Sequence, residues 1–574
     1  MTLDRNLRPP KQILFHVLLL TVAVLSFSPQ VIARPSDGGS AADSSNGSVS
    51  GTVLRQSDGT PIRRAVIRLT DAQDPNQGTS VVTADNGSFT ISNIPAGRYR
   101  MSAAKQGFVA QEYGESNDPG SFALLTVSGG KSVSNLVFKL RPTATIAGHV
   151  RDESDEPLGL VAVNAFAIAY DRGKKTLVPE KQTRTNDLGE YRLFNLRPGR
   201  YLVVADPSQV SSDSRRNKQN EYTVLGYASQ FYPGTPDVSR AEAVPVASGD
   251  EISGIDLNLA RHNVVAVRGV IANAIQPGAV GEISVSLTPK NYVGRWDSNG
   301  LQVTTRAGSG SFEIPNVPPG QYIAMAQWQN EGKFYSVHRA IEVGDSAIDG
   351  VNLTIAAGQS LRGRISWVGS KDVAFSDVRA ALLPMEEGEF ATSEATVRSD
   401  GSFGFENVAE GQYEVVVSGL EKNCYVKEVR TELEANAVKK LSVSQGTTHF
   451  EVILSSQGGQ LEGQVLNKDS LVAAGKWVVL VPEAKLRDYD WLYRSTTTDQ
   501  NGRFAMHAIP PGKYKVFSWD EVQEGAWEDA EFLRAFEDKG QEIEVKESAQ
   551  AKVDLASIPA SGQGGAQAEA RAIQ

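Results

Sequence analysis

Hydrophobic and turn-forming positions recur along this chain with one fixed spacing. Counted from a glycine, apolar or aromatic residues stand at +2, +4 and +7, a second glycine at +10 and a tyrosine at +12. The five sets begin Gly87-x-Phe89, Gly189-x-Tyr191, Gly310-x-Phe312, Gly401-x-Phe403 and Gly502-x-Phe504, and they end at Tyr99, Tyr201, Tyr322, Tyr413 and Tyr514. Apolar residues two apart predict a strand with one buried face. The unit is therefore a strand, a tight Gly-containing corner and a second strand, repeated five times.

Each unit also has an opening and a closing signal. A Gly-x-aliphatic triplet opens the units at Gly51, Gly148, Gly269, Gly363 and Gly463, and an alternating strand closes each of them. About seven short strands per unit, with hardly any helical periodicity, predict an all-β fold of five tandem antiparallel β-sandwich domains, Ig-like or prealbumin-like. Linkers are nearly absent, so we expect a semi-rigid rod. The predicted domain boundaries are 47–141, 142–261, 262–357, 358–456 and 457–558.

The two ends of the chain differ from the repeats. Residues 1–33 have a basic start and an apolar run, which predicts a secretory signal peptide cleaved after Ala33. A single transmembrane anchor is the alternative, although the run is short for a bilayer. Residues 34–46 predict a flexible tether and residues 559–574 a disordered tail. We therefore expect a secreted, periplasmic or cell-surface protein with no membrane span in the mature chain.

Charge and cysteine content narrow the possible functions. The 574 residues carry a formal net charge of -10. Removing residues 1–33, with three basic residues and one acidic one, makes this about -12. An acidic chain argues against nucleic acid as a partner, because phosphate contact needs clustered Lys and Arg. Cys424 is the single cysteine, so no intrachain disulfide forms, and a buried inert thiol is its default role.

Two segments depart from the repeated pattern. The second repeat contains a polar loop, 208–221, that includes Arg215, Arg216 and Lys218. In the fifth repeat, residues 529–539 have acidic residues first and Lys539 last, which predicts a short helix. We expect its apolar residues, with Trp527, to cover one end of that sandwich.

The opening triplet, the Asp58-Gly59-Thr60-Pro61 turn, the Gly-x-Phe segment and the Gly-x-Tyr corner together resemble carboxypeptidase regulatory-like domains. That family is similar in fold to transthyretin and to starch-binding domains. The resemblance extends over about residues 48–557. It implies an extracytoplasmic accessory module and supplies no catalytic residues. The third repeat lacks the Asp-Gly-Thr-Pro turn, and the fourth has Ala409-Glu410 before its corner glycine.

The sequence offers little catalytic chemistry. Its six histidines are scattered and none begins a His-x-x-Glu zinc motif, and no Gly-x-Ser-x-Gly elbow is present. We therefore predict no catalytic residue, no metal and no cofactor. Paired carboxylates brought together by folding remain an alternative. Turns such as Asp85-Asn86-Gly87 could suggest calcium, but the positive φ angles that turns require explain the same residues.

Carbohydrate binding has one candidate site, in the fifth repeat. Tyr489, Trp491 and Tyr493 alternate, so an extended backbone would place all three on one face. With Trp519 and Trp527 they would form an aromatic platform for pyranose rings. The alternative is that one or more of them close the core. A weaker candidate lies beside the basic loop of repeat two and consists of Tyr222, Tyr227, Phe231 and Tyr232.

The repeats thus favour three hypotheses for function. The first is a non-catalytic, carbohydrate-binding-like or scaffold protein whose partner is a polysaccharide or an envelope protein. The second is a structural spacer or adhesin stalk that binds no small ligand. The third is an enzyme of unrecognised type. For the corner tyrosines we expect a structural role, with each hydroxyl bonded to nearby backbone.

Overall fold

The computed structural model describes residues 46–559 except for thirteen short internal segments. These are residues 116–119, 208–212, 217–221, 276–281, 291–300, 307–309, 331–332, 369–374, 376, 386–392, 432–434, 437–439 and 445–448. The predicted signal peptide, and nearly all of the predicted tether and tail, lie outside the described residues. Among the residues it does describe, no helix is both long enough and apolar enough to cross a membrane.

Strands dominate the first two repeats, as the alternating pattern predicts. Repeat one contains β1 (Gly47–Arg55), β2 (Val66–Asp71), β3 (Gly78–Val82), β4 (Ser88–Ile94), β5 (Gly97–Ala104), β6 (Gln111–Glu112), β7 (Leu125–Val127) and β8 (Ser132–Leu140). Repeat two contains β9 (Ala144–Asp152), β10 (Ala162–Asp171), β11 (Lys174–Arg184), β12 (Glu190–Leu196), β13 (Gly199–Asp206), β14 (Asp213–Arg216), β15 (Tyr222–Tyr227), β16 (Gln230–Phe231), a 3-10 turn (Val238–Arg240), β17 (Val244–Val246), β18 (Glu251–Ile252) and β19 (Leu257–Leu259).

The remaining repeats follow the same order of strands. Repeat three contains β20 (Arg261–Asn273), β21 (Glu282–Pro289), β22 (Gln302–Arg306), β23 (Ser311–Val317), β24 (Gly320–Asn330), β25 (Lys333–Val343) and β26 (Ile348–Ile355). Repeat four contains β27 (Gln359–Trp367), β28 (Arg379–Pro384), β29 (Ser393–Thr396), β30 (Ser402–Val408), β31 (Gly411–Ser418), β32 (Tyr425–Thr431), β33 (Ala435–Asn436), β34 (Lys440–Val443) and β35 (His449–Ser455). Repeat five contains β36 (Gly459–Leu466), β37 (Trp477–Pro482), β38 (Arg494–Thr497), β39 (Arg503–Ile509), β40 (Gly512–Trp519), β41 (Gln541–Val545), β42 (Gln550–Lys552) and β43 (Leu555–Ala556), with 3-10 turns at Ala484–Leu486, Asp490–Leu492 and Ala526–Glu528 and one α-helix, α1 (Ala530–Arg534).

Every repeat builds two sheets. In repeat one, the order β4-β1-β8 forms one sheet, and β3-β2-β5 with β6 and β7 forms the other. The central strands of both sheets are arranged in the same way in the other four repeats, although in repeat four β32 and β33 extend the first sheet beside β35. This arrangement confirms the all-β prediction. One detail of it was wrong, because the sandwiches are not wholly antiparallel. The closing strand lies parallel to the opening strand, as β8 does to β1, since the chain passes through the second sheet before it returns to the first.

The apolar residues of each repeat gather in a core of their own. Five clusters of buried residues draw their members from residues 49–140, 144–259, 267–355, 361–454 and 461–555 respectively. The aromatic residue at +2 lies in a strand in every repeat and belongs to that repeat's cluster. The domain boundaries stay a prediction, although these clusters follow them.

Repeats two and five bury a second layer on the outer face of one sheet. In repeat five, Val479 and Val481 point away from the main core and pack with Phe517, Trp519 and the segment around α1. The short helix was correctly predicted, with Asp529 accepting hydrogen bonds from the N–H groups of the first turn. Its predicted location was wrong, because the segment covers a sheet face and not an end of the sandwich.

The polar segment 208–221 of repeat two contains β14, and β15 follows directly after it. β14 and β15 pair with each other, and β15 pairs with β20, which opens repeat three. The junction is fixed by Arg261, whose Nε donates to the Tyr227 hydroxyl at 2.9 Å and whose Nη2 lies 3.3 Å from Asp152 Oδ2. Repeats two and three therefore share a sheet. The polar composition of the segment did not predict this pairing.

The predicted rod is also corrected by contacts between repeats distant in sequence. Thr497 Oγ1 in repeat five donates to the Phe122 carbonyl of repeat one at 2.9 Å. The Thr126 N–H donates to Gln500 Oε1 at 3.0 Å, and a Cβ on Gly475 would overlap the Gly114 carbonyl oxygen. Repeat five therefore folds back against repeat one, in contacts that a linear rod would not contain.

Candidate functional site

Three of the five predicted platform residues belong to the interior. The side chains of Trp519 and Trp527 are 1% and 0% exposed and lie in the cluster beneath α1. Tyr493 is 7% exposed and joins the same cluster, and this burial raises its pKa well above the ordinary tyrosine value. These side chains stabilise the second layer of repeat five and present no face to a ligand.

The other two platform residues stay half-buried at the surface. Tyr489 and Trp491 flank and enter the 3-10 turn Asp490–Leu492, so the extended backbone predicted for them was wrong. Their ring centroids lie 4.9 Å apart with the planes inclined by 45°. A single turn of helix thus brings together side chains whose i, i+2 spacing suggested a strand.

Charged groups from other repeats surround this aromatic pair. Lys440 of repeat four holds its Nζ 5.7 Å from the centroid of the Tyr489 ring. Asp490, between the two aromatic residues, has its Oδ2 3.6 Å from Arg172 Nε of repeat two. The aromatic pair therefore stands where repeats two, four and five meet.

Arg172 connects three repeats. Its Nη1 donates to the Pro384 carbonyl at 3.3 Å and its Nη2 lies 3.8 Å from Glu414 Oε2, both in repeat four. The residue occupies the turn between β10 and β11 with φ +49°, a left-handed conformation that an extended hairpin tip imposes. Its guanidinium suits several carbonyl and carboxylate oxygens at once, since it presents five N–H donors.

The β10–β11 hairpin tip also inserts into the helical segment of repeat five. Tyr170 packs against the cluster that contains Trp519 and Trp527, and its pKa rises to about 12 because it is buried near Asp529 and Glu531. Gln523 Nε2 donates to the Ile168 carbonyl. A Cβ on Gly173 would lie 2.5 Å from the Glu528 carbonyl oxygen, so the two backbones touch.

The junction combines two aromatic rings with carboxylate, ammonium and guanidinium groups that contact one another across the repeats. In the described parts of the chain, no group of three or more His, Cys, Asp or Glu side chains is placed to hold a metal ion. The turn carboxylates and amides instead accept from backbone, as Asn86 Oδ1 does from the Ser88 N–H at 3.1 Å.

The weaker candidate in repeat two is dispersed. Phe231 is buried on the outer sheet face, Tyr232 packs against the repeat-two core and Tyr227 serves the Arg261 junction. The side chain of Tyr222 lies outside the described residues. Cys424 is buried, in agreement with its predicted role.

The five corner tyrosines behave alike and as expected. Each hydroxyl donates to the carbonyl four residues earlier, at 2.9, 2.7, 2.9, 3.0 and 2.8 Å for Tyr99, Tyr201, Tyr322, Tyr413 and Tyr514. These tyrosines are structural.

Sequence reasoning missed Tyr170, Arg172, Glu414 and Lys440, which join the repeats. Asp171-Arg172-Gly173 looks like any hairpin turn, because a turn signal does not reveal what its tip touches. The one available signal was the apolar character of β10, where the side chains of Val161 to Phe166 are buried without alternation.

Comparison with known families identifies two segments. Residues 48–140 match the carboxypeptidase regulatory-like domain, and residues 276–348 match domain II of polysaccharide lyase family 4. The resemblance that the sequence motifs suggested is therefore confirmed for the first repeat. A search of curated proteins gave no match.

Three solved structures illustrate a distant likeness. The minor pilin GBS52 of Streptococcus agalactiae is 14% identical over 38% of this chain and 96% of its own, with a TM-score of 0.22. A putative carbohydrate binding protein of Pseudomonas aeruginosa is 16% identical over 16% of this chain and 88% of its own, with a TM-score of 0.11. The TIE protein of Bacillus anthracis is 15% identical over 54% of this chain, with a TM-score of 0.17, and the match spans 51% of its length.

Proposed function

We propose that this protein is a non-catalytic structural component of the cell surface, in which docked β-sandwich repeats form a scaffold for envelope partners. The observation that carries the proposal is the insertion of the β10–β11 hairpin of repeat two into repeat five. Tyr170 packs against the second core cluster of repeat five, and Arg172 contacts repeats four and five.

This arrangement suits a scaffold because it fixes distant repeats. Tandem domains joined only by their linkers move relative to one another by default. Here a half-buried aromatic residue, a guanidinium close to three oxygen acceptors and close backbone contacts restrain that motion. A surface built from several repeats then keeps its shape, which lowers the entropy cost of binding a large partner.

The restraint is tested by small-angle X-ray scattering of the mature chain. Tyr170→Ala with Arg172→Ala should increase the radius of gyration, because the hairpin no longer holds repeat five. Lys181→Ala with Gln182→Ala changes two exposed residues further along β11 and should leave it unaltered. An unchanged radius in the first variant would contradict the fixed arrangement.

The role itself is tested in cells. Fractionation should place the mature chain in the periplasm, at the surface or in the medium, and cross-linking should retain envelope proteins on the wild type more than on the Tyr170→Ala, Arg172→Ala variant. A cytoplasmic location, or a turnover activity lost on changing an acid pair, would rule out this role.

Carbohydrate contact is a second candidate, favoured by the Tyr489–Trp491 pair and its charged neighbours. Affinity electrophoresis through polysaccharide gels should retard the mature chain, and Trp491→Ala should abolish the retardation. Phe194→Ala is the control, since this exposed aromatic residue lies on repeat two, away from the junction. If no glycan retards the chain, carbohydrate contact is ruled out and only the structural role remains.

A further inference from the structure

Two sheets from opposite ends of the sequence lie edge to edge. In repeat one, β7 pairs with β5 and lies at the far side of the sheet from β3. In repeat five, β38 is the edge strand of the order β38-β37-β40-β41. The bonds from Thr497 to Phe122 and from Thr126 to Gln500 connect the β7 side of the first sheet to the β38 side of the second.

This contact leaves β3 at one end of the pair of sheets and β41 at the other. β3 occupies the same place in repeat one that β38 occupies in repeat five, since each pairs with the second main strand of its repeat. β41 likewise corresponds to β7, because each pairs with the strand that begins at the corner glycine. The free ends are thus the same two kinds of edge that already meet inside the chain.

The β3 edge lacks the features that prevent strands from pairing. Natural edge strands carry charges, proline or bulges, and the equivalent β11 contains lysines and Pro179. β3 reads Gly-Thr-Ser-Val-Val, with no charge and no proline, and Val82 is 64% exposed. Among the equivalent edge strands in the described part of the chain, β3 is the one without charged residues.

The backbone of β3 has groups directed outward. The Asp71 N–H donates to the Gln77 carbonyl and the Thr83 N–H to the Ala65 carbonyl, both at 2.9 Å. Because hydrogen-bonding direction alternates along a strand, residues 77, 79, 81 and 83 face β2. The N–H and C=O groups of Ser80 and Val82 therefore point away from the sheet, toward an incoming strand.

Charge favours β41 as that strand. Exposed Arg63, Arg64 and Arg68 lie on and before β2, beside the uncharged β3. β41 reads Gln-Glu-Ile-Glu-Val, and Glu542 and Glu544 are exposed. A basic margin on repeat one thus meets an acidic edge on repeat five, whereas β3 against β3 would bring two basic margins together.

We propose that copies of this protein associate head to tail, with β41 of one copy adding to β3 of the next. The partner is a second copy of this chain, and the contact repeats the edge type of the internal one. Such a contact is heterologous, so each copy keeps one free edge of each kind and the assembly extends into a ring or a filament.

Sedimentation velocity of the mature full-length chain, over a range of concentrations at low salt, tests this inference. The wild type should form species larger than dimers, and added salt should weaken them because exposed charges are screened. Glu542→Lys with Glu544→Lys should raise the dissociation constant about tenfold. Adding Arg68→Glu to that variant should recover most of the loss.

The control is Glu394→Lys with Glu410→Lys, which makes the same change in net charge at exposed residues of repeat four and should associate as the wild type does. A chain that stays monomeric at every concentration would overturn the proposal. So would equal weakening in the control, or a dimer that does not grow and ignores the β41 changes, since that outcome indicates β3 pairing with β3.

Discussion

Gly51 lies directly under the ring of Phe89. A Cβ built on this glycine would lie 2.8 Å from Phe89 Cζ and would overlap the Leu136 carbonyl oxygen on the neighbouring strand. Gly269 and Gly463 stand in the same relation to Phe312 and Phe504. The opening glycine and the aromatic residue of each repeat are therefore one packing unit.

Gly51→Ala should destabilise repeat one by about 2 kcal/mol, a typical cost of forcing an extra methyl group into a packed site. Differential scanning calorimetry should show one of the unfolding transitions at lower temperature. Gly344→Ala is the control, because a Cβ there meets nothing within 4 Å. Equal transitions in both variants would show that the ring does not need the glycine.

This packing explains why the fold could be predicted from sequence. The register of Gly51, Phe89 and Tyr99 reflects contacts within one repeat, and such local contacts leave fixed spacings that five copies make visible. The docking of repeat five against the other repeats leaves no such spacing in the sequence. It depends on a single turn at Arg172 and on close backbone approach at Gly114 and Gly475, where no periodic pattern exists.

The candidate site was predicted less well for a related reason. Tyr489, Trp491 and Tyr493 show an i, i+2 spacing, and the strand interpretation assumed an extended backbone. The 3-10 turn Asp490–Leu492 separates them, leaving Tyr493 inside and the other two at the surface. Trp519 and Trp527 are aromatic because they fill a second layer, and composition alone cannot distinguish a buried ring from an exposed one.

In every repeat, the second-to-last residue of the strand that leads into the corner has a left-handed backbone conformation. Asn93, Asn195, Asn316, Asn407 and Ala508 have φ between +53° and +61°. Asn407 Oδ1 also accepts from the Gly358 N–H at 2.7 Å, beside a bulge between β27 and β30. Asparagine tolerates this conformation better than most residues.

Asn407→Ala should therefore cost about 1 to 2 kcal/mol, from backbone strain and from the lost hydrogen bond. Asn407→Gly removes the same bond but relieves the strain, so it should cost less. Chemical denaturation, followed by a signal from repeat four, tests whether alanine costs more stability than glycine. If glycine proves as costly as alanine, the hydrogen bond alone accounts for the asparagine.

The corner hydroxyl of Tyr99 has a measurable contribution. Tyr99→Phe removes the bond to the Pro95 carbonyl and leaves the ring in place, so repeat one should lose about 1 kcal/mol. Calorimetry of the protein measures the shift. Tyr335→Phe is a control, because this partly buried ring packs on Trp328 and is not a corner residue. A comparable shift in both would argue against a special role for the corner bond.

Glu537 should make the α1 segment sensitive to acid. Its carboxylate accepts from Arg487 Nη1 and Nη2 at 2.9 and 2.8 Å and lies 3.0 Å from Lys515 Nζ. The hydrogen bond from Arg487 and then that from Lys515 hold the pKa of Glu537 below its ordinary value.

A carboxyl whose pKa is lower in the folded state stabilises that state above its unfolded pKa, and the contribution is lost as the pH falls through the folded value. Acid below the ordinary pKa of a glutamate should thus loosen the segment that covers Trp519. Hydrogen exchange of residues 526–540 should accelerate there. Glu537→Gln should remove most of this pH dependence while residues elsewhere exchange as before, and a variant that keeps the full acid response would show that another carboxylate controls the segment.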